Sequence, residues 1–268
     1  MDGTVLNTLE DLTIALNYAM EQTGHRHDYK PDQVRFFFGS GIRVAIRRAL
    51  ALEENPGMHP ADLIRIDTEA ETTDTGSTTD CVRKYGDPAE GKCRAAVQEA
   101  ESEPVPGAGQ DVKKTREPEE IRRIRTVYQP YYEQHCNDHT VPYPGILELL
   151  EELHRRDIRT AVISNKPDAA VQILADELFP GLFDFAAGEK PGTARKPAPD
   201  LVLQTAGAMH LKPDEILYVG DSEIDLQTAV NAGMDCAAVT WGFRDREMLT
   251  KLRPAYLFDD TAGLLKYL

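Results

Sequence analysis

The sequence predicts an α/β protein, a parallel sheet covered by helices on both faces and joined to a separate helical segment. Three observations predict it. From about residue 141 onward, apolar runs of strand length alternate with amphipathic helical stretches. Residues 8–54 and 119–136 carry helical patterns with no strands between them. The stretch separating those two blocks is too poor in apolar residues to build a core of its own.

In chain order, LEDLTIALNYAMEQTG and SGIRVAIRRALALEE read as amphipathic helices, and EEIRRIRTVYQPYYEQHC, from Glu119 to Cys136, as a third. Residues 55–118, with runs such as TEAETTDTGSTTD and ESEPVPGAGQD, are expected to form a long, partly disordered insertion with a short helix near CRAAVQEAESE. GILELLEELHRRD then places Ile146, Leu149, Leu150 and Leu153 on one helical face. IRTAVIS reads as a buried strand ending at Ser164, AAVQILADELF as a helix, and Pro197–His210 as holding another. EILYVG is a strand ending at Gly220, DLQTAVNAGM a helix stopping at Gly233, and CAAVTWG and AYLFDD two further strands.

At 268 residues the chain suits one large domain or two smaller ones. Thirty basic residues against 45 acidic give a formal charge of −15, which argues against a nucleic-acid partner. An anionic substrate would need local cations to overcome that field. The sequence shows no membrane-span or signal-peptide pattern, so the expectation is a cytoplasmic protein with no membrane partner, monomeric or homodimeric. Cys81, Cys93, Cys136 and Cys236 lack metal or redox spacing and read as free thiols. His135 and His139 are four apart but have no second ligand pair, so they read as a helix-end pair rather than a zinc site.

In parallel sheets, reactive groups gather beyond the carboxyl ends of the strands, which points to Ser164, Asp221 and the loop Trp241–Arg244. In YVGDSEID, Asp221 and Asp225 can share a hard cation such as Mg²⁺, although the same letters suit a helix cap and first turn. VISNKP offers the Ser164 hydroxyl and the Asn165 amide to a phosphate oxygen, or simply a strand-ending turn. ARKPAPD holds Lys196 in a proline-stiffened loop, where an ammonium would neutralise a bound anion. Gly39, Ser40 and Gly41 precede a helix with Arg43 in its first turn, a pattern that fits an anion site or an ordinary Ser-capped helix.

Taken together, MDGT, VISNKP, KPAPD, VGDSEIDLQTAVNAGM and HTVPYPGILELLEEL resemble the haloacid dehalogenase superfamily, most closely its phosphoglycolate phosphatase branch. The resemblance covers Asp2 to about Leu50 and about Thr126 to the C-terminus. It implies a Rossmann-like core from residues 1–8 and 141–268, with an inserted α-helical cap at 9–140 that carries the polar insertion. It also implies a Mg²⁺-dependent hydrolase of small phosphorylated metabolites, phosphoglycolate first. Pyrophosphate or a sugar phosphate is the nearest alternative substrate, and a non-catalytic phosphate- and metal-binding protein the alternative class.

Residue by residue, Asp2 matches the second Asp of the family's D-x-D-G-T motif, which protonates the leaving oxygen and later activates water, with Gly3 and Thr4 beside the phosphate. Ser164 matches the phosphate-binding hydroxyl, with Asn165 next to it. Lys196 matches the lysine that steadies nucleophile and phosphate. Asp221 matches a Mg²⁺ ligand, with Asp225 a further ligand or its support, and Arg43 lies where the cap sets specificity. The first Asp of the motif attacks phosphorus to form an aspartyl-phosphate. It would stand two residues before Asp2, whereas the sequence starts at Met1. The expectation is therefore a truncated start at the methionine of a D-M-D-G-T motif, and little turnover from residues 1–268.

Overall fold

The chain opens in a tight turn, in which the Met1 carbonyl accepts hydrogen bonds from the amides of Thr4, Val5 and Leu6. The computed structural model describes residues 1–64 and 117–268. After the turn, β1 (Leu6–Asn7) leads into a layer of helices: α1 (Leu9–Gln22), the short α2 (Pro31–Val34), α3 (Ile42–Glu54) and α4 (Glu119–His135). Spacings of three and four decide which faces meet. Leu12, Ala15, Leu16, Ala19 and Met20 are buried on α1, Ala45, Ile46, Ala49 and Leu52 on α3, and Ile121, Ile124, Tyr128 and Tyr132 on α4.

The chain returns through β2 (Val141–Pro142), which pairs antiparallel with β1, so the outgoing and incoming connections form one two-stranded joint. Then follow α5 (Ile146–Arg155), β3 (Ala161–Pro167), α6 (Asp168–Leu178), β4 (Phe185–Glu189), α7 (Asp200–Ala208) and β5 (Leu217–Gly220). The chain ends with α8 (Glu223–Ala232), β6 (Asp235–Val239), α9 (Arg246–Lys251), β7 (Tyr256–Phe258) and α10 (Thr261–Tyr267). All these core pairings are parallel, β3 with β4 and β5–β6–β7 in that order. The architecture is thus the Rossmann-like core with a helical cap that the sequence predicts. Between the β3 and β5 groups lies an apolar cavity of about 340 Å³, bordered by Val162, Ile163, Leu217 and Val219.

One core strand is absent from the sequence reading. β4, the FAAGE stretch, has no pattern of alternation, because its burial comes from β3 and α6 packing on it rather than from its own letters. Of the stretch expected as the polar insertion, from about 55 to 118, residues 55–64 and 117–118 are described. Pro60–Asp62 forms a 3₁₀ turn, Leu63 and Ile64 are buried in the helical layer, and Glu117 pairs with Arg43 and Arg125. The rest of the insertion, including the helix expected near CRAAVQEAESE, lies outside the described residues. Among the described cysteines, Cys136 and Cys236 are buried free thiols. No helix among the described residues is long and apolar enough to cross a membrane.

The joint is held by one carboxylate. Asp11, buried on α1, accepts hydrogen bonds from the His139 amide at 3.0 Å, the His139 Nδ1 at 2.9 Å and the Thr140 hydroxyl at 2.7 Å. His135 pairs instead with Asp138 at 2.7 Å, so the two histidines are separate helix-end contacts, as their spacing suggested. The hydrogen bond to Asp11 raises the pKa of His139 above that of a free imidazole. Its stabilisation is therefore fully present below the unfolded histidine's pKa and lost as pH rises through the folded value. Asp11→Ala should lower unfolding free energy by about 3 kcal/mol, because it strands the Thr140 hydroxyl and the His139 amide. Urea melts should show a larger loss at pH 6 than at pH 8.5; equal losses would remove His139 from the joint's energetics.

Candidate active site

Beyond the carboxyl ends of β3 and β5 opens a cavity of about 300 Å³ whose lining includes Asp2, Ser164, Asn165, Lys166, Lys196, Asp221 and Asp225. Its wall carries five basic residues, Arg125, Lys166, Lys190, Arg195 and Lys196, against five acidic ones, Asp2, Glu133, Glu189, Asp221 and Asp225. Local charge is therefore balanced inside a chain of net charge −15, the condition an anionic substrate requires.

Each side chain is placed by local backbone chemistry. The register of β3 against β4 is regular through Ile163 and resumes only at Pro167, so Ser164, Asn165 and Lys166 are freed from the ladder. Ser164 is buried, its hydroxyl accepting from the Lys166 amide at 3.2 Å. Asn165 acts as a bracket. Its oxygen accepts from the Lys196 amide at 2.8 Å, while its Nδ2 donates to the carbonyls of Lys196 at 3.1 Å and Gly39 at 3.3 Å. Its amide is thus committed to holding the lysine loop and the cap edge.

Lys196, in the β4–α7 loop, donates to Asp225 at 2.7 Å and to the Tyr218 hydroxyl at 3.2 Å. Burial alone would pull its ammonium down, but the Asp225 charge and the tyrosine drive it well above the usual lysine value. Asp225 is committed on both oxygens, accepting from Lys196 and, at 2.6 Å, from the Ser222 hydroxyl. Burial favours its neutral form, yet Lys196 and Ser222 hold it down at about 2. Asp221 differs. It accepts from the Thr4 hydroxyl at 2.8 Å and the Phe243 amide at 2.9 Å, both neutral donors. Burial and the neighbouring Asp225 push its carboxyl up to about 6. Gly3, at φ 74°, packs so closely on this carboxylate that any side chain there would overlap it.

Asp2 retains 23% side-chain exposure and lies 3.2 Å from Lys166 Nζ. Its buried Oδ1 has this ion-pair contact but no well-angled hydrogen bond. Burial pushes the Asp2 carboxyl up, but Lys166, the Met1 amino group and the Thr8 hydroxyl outweigh it and hold the group below the usual range. A proton donor needs the protonated form of Asp2 and an acceptor the ionised one; these neighbours favour the ionised form.

Asp2, Ser164, Asn165, Lys196, Asp221 and Asp225 are therefore brought together, with Gly3 and Thr4 packed behind Asp221. Arg43 is not among the lining residues: its guanidinium pairs with Glu117 at 3.1 Å, while Gly39, Gly41 and Ile42 form that edge and Arg195 faces Gly41. In the WGFR loop, Phe243 lines the cavity, but Arg244 is fully buried rather than at the mouth. Sequence reasoning missed Lys166, whose side chain is 3% exposed and donates to the Tyr132 hydroxyl of α4. The available signal was a lysine inside a strand-end motif, where a solvated side chain is the usual expectation.

Mg²⁺ is tested by this donor set. Among the described residues no group of three or more His, Cys, Asp or Glu is placed to hold a metal. Mg²⁺ does not need one, since it commonly uses one or two carboxylates and fills its octahedron with water and substrate oxygens. Asp221 fits that pattern as a buried hard-oxygen donor whose two oxygens have only neutral hydrogen-bond partners, whereas the charge of Asp225 is already matched by Lys196. Asp221→Asn should accordingly stabilise the metal-free protein at pH 8 by roughly 1–3 kcal/mol. A raised carboxyl pKa costs stability above about 6, and this cost disappears as pH falls toward the unfolded value near 3.8. The gain should therefore vanish in melts at pH 4; a gain independent of pH would refute the assignment of an uncompensated charge.

The family model described as haloacid dehalogenase-like hydrolase matches residues 84–239. The phosphoglycolate phosphatase of Pasteurella multocida is 31% identical, over all of this chain and 95% of its own length. Phosphoglycolate phosphatase 1 of Pseudomonas aeruginosa is 26% identical, over 99% of this chain and 76% of its own. A crystal structure from Lactobacillus delbrueckii subsp. bulgaricus, provisionally assigned as a phosphoglycolate phosphatase, superposes with a TM-score of 0.78 at 41% identity, covering 100% of this chain and 95% of that one. By these matches and by its fold, the chain belongs to the haloacid dehalogenase-like hydrolase family, where its similarity is to the phosphoglycolate phosphatase branch.

Proposed function

We propose that the protein is a Mg²⁺-dependent phosphatase of small phosphate monoesters, with phosphoglycolate the leading substrate. One observation carries the reading: the Ser164 hydroxyl, the Lys196 ammonium and the Asp221 carboxylate line one cavity of about 300 Å³, a size suited to a small metabolite. The names of the relatives support phosphoglycolate as the first substrate to try.

Asp221 would hold Mg²⁺, with Asp225 behind it as the partner of Lys196. The bound ion would supply Lewis-acid stabilisation of the charge on the phosphoryl oxygens. The chain's own groups then have distinct tasks. Ser164 and the freed backbone around it orient the phosphate, and Lys196 shares its charge between Asp225 and the incoming anion. Because Asp225 already offsets that ammonium, phosphate binds against a pre-set partner and no solvent has to reorganise around it. Asp2 would give a proton to the leaving oxygen of the ester and take one back from the attacking water, and the Lys166 ammonium beside it favours the carboxylate form that accepts the second proton. The cap excludes bulk water through Phe38, Tyr128 and Tyr132, which line the cavity. Arg195, at the mouth, is better placed than Arg43 to meet a second anionic group of the substrate.

The attacking carboxylate of the family motif would stand two residues before Asp2, outside residues 1–268. A chain extended at its N-terminus by an apolar strand ending in Asp directly before Met1 should therefore release phosphate from phosphoglycolate with Mg²⁺. Lys196→Ala in that chain should lower kcat by about a hundredfold or more. Residues 1–268 alone should show little turnover in the same phosphate-release assay. Robust Mg²⁺-dependent hydrolysis by them would overturn the nucleophile assignment. Phosphate binding without hydrolysis in the extended chain would favour a binding protein instead.

A further inference from the structure

Two arginines cross the boundary between cap and core in opposite directions. From the core, Arg244 forms a fork with Glu223, Nε to Oε2 at 2.7 Å and Nη2 to Oε1 at 2.9 Å. The same guanidinium donates to cap carbonyls, through Nη1 to Arg35 at 2.6 Å and through Nη2 to Phe38 at 3.1 Å. From the cap, Arg35 Nε donates to the Phe243 carbonyl at 2.5 Å and its Nη2 to the Gly242 carbonyl at 3.3 Å.

The intervening carbonyls of Phe36 and Phe37 accept from Arg48 of α3, at 2.7 and 3.1 Å. The segment after the four-residue helix α2 thus has four consecutive carbonyls satisfied by buried guanidiniums, one of them supplied by the core. A buried fork of this kind has a fixed shape, which an ammonium cannot reproduce.

Both ends of this clasp touch the site. Glu223 lies two residues after Asp221, and the Phe243 amide, next to Arg244, donates to Asp221 Oδ2 at 2.9 Å. On the cap side, Phe38 and Gly39 line the cavity, and the Gly39 carbonyl accepts from Asn165, the bracket of Lys196. A side chain at Gly242 would overlap Asp221 and the Gly3 carbonyl, so this loop sits against the carboxylate with no slack.

We infer that Arg244 is a positioning residue of the phosphate site. Its fork on Glu223 and on the cap carbonyls sets the cap edge at Phe38–Gly39 and the Phe243 amide on Asp221 as one unit. The inference rests on the phosphate site proposed above. It adds that the geometry of that site depends on a guanidinium which touches neither substrate nor metal.

Trp241, the chain's single tryptophan, reports on this loop because its Nε1 donates to the Thr4 carbonyl at 2.9 Å. The test follows Trp241 emission in the wild type, Arg244→Lys and Arg35→Lys. Inorganic phosphate is titrated with Mg²⁺ present, and acrylamide quenching is measured separately. Leu249→Ala, at a fully buried residue of α9, serves as a reference of lowered stability.

Arg244→Lys should weaken phosphate binding by about tenfold to a hundredfold and raise quenching. Leu249→Ala should change neither. Should Arg244→Lys fail to fold, Arg35→Lys, which leaves the Glu223 pair intact, decides by the same two readouts. Phosphate affinity and quenching equal to those of Leu249→Ala in the folded variants would overturn the inference. A wild type that gives no phosphate response would defeat the phosphate-site reading, and quenching would then decide the clasp by itself.

Discussion

Two carboxylates share the buried end of β5, and they stand in opposite electrostatic states. Asp225 is neutralised by Lys196 at 2.7 Å, while the hydrogen bonds to Asp221 come from a hydroxyl and an amide. A buried carboxylate without a cationic partner is costly, and the surroundings are shaped around keeping it there. Gly3 and Gly242 supply the space, Thr4 and Phe243 supply the donors, and Asp225 is drawn aside by the lysine. If Asp225 were not paired, like charges four residues apart at one strand end would disfavour ionisation of both. The Lys196–Asp225 pair therefore offsets one of the two charges, while the buried Asp221 carboxyl beside it stays raised to about 6.

The cap is tied to this end of the core at three places with separate chemistry. Asp11 secures the two-stranded joint through neighbours on the returning chain, Asn165 holds the Gly39 edge, and the two arginines lock the Arg35–Phe38 segment. Lys166 adds a fourth contact, reaching Tyr132 on the cap and Asp2 on the core from a single buried ammonium. Because the contacts are polar and directional, they fix where the cap sits rather than merely that it packs. The cap's apolar faces supply burial, and these hydrogen bonds supply registration.

Much of this was legible in the letters. The helices follow from apolar spacing of three and four, and the site follows from polar residues at the ends of apolar runs, as in YVGDSEID and VISNKP. Ser164, Lys196, Asp221 and Asp225 could be named because their motifs are local in sequence. What the sequence hid is long-range. Arg43 and Arg244 each lie beside a glycine-containing turn and look equally suited to meet an anion. Their fates differ because Glu117 faces one and Glu223 the other, with separations of 74 and 21 residues. β4 escaped because its burial is conferred by neighbours, and Lys166 because no local signal distinguishes a buried lysine from a solvated one.

The most direct measurement of the central claim is a crystal structure of residues 1–268 grown with Mg²⁺ and inorganic phosphate. The account predicts the metal on Asp221 and the phosphate between the Ser164 hydroxyl and the Lys196 ammonium, with Asp225 still paired to Lys196. Metal or phosphate bound elsewhere, with Asp221 still held only by Thr4 and Phe243, would contradict it.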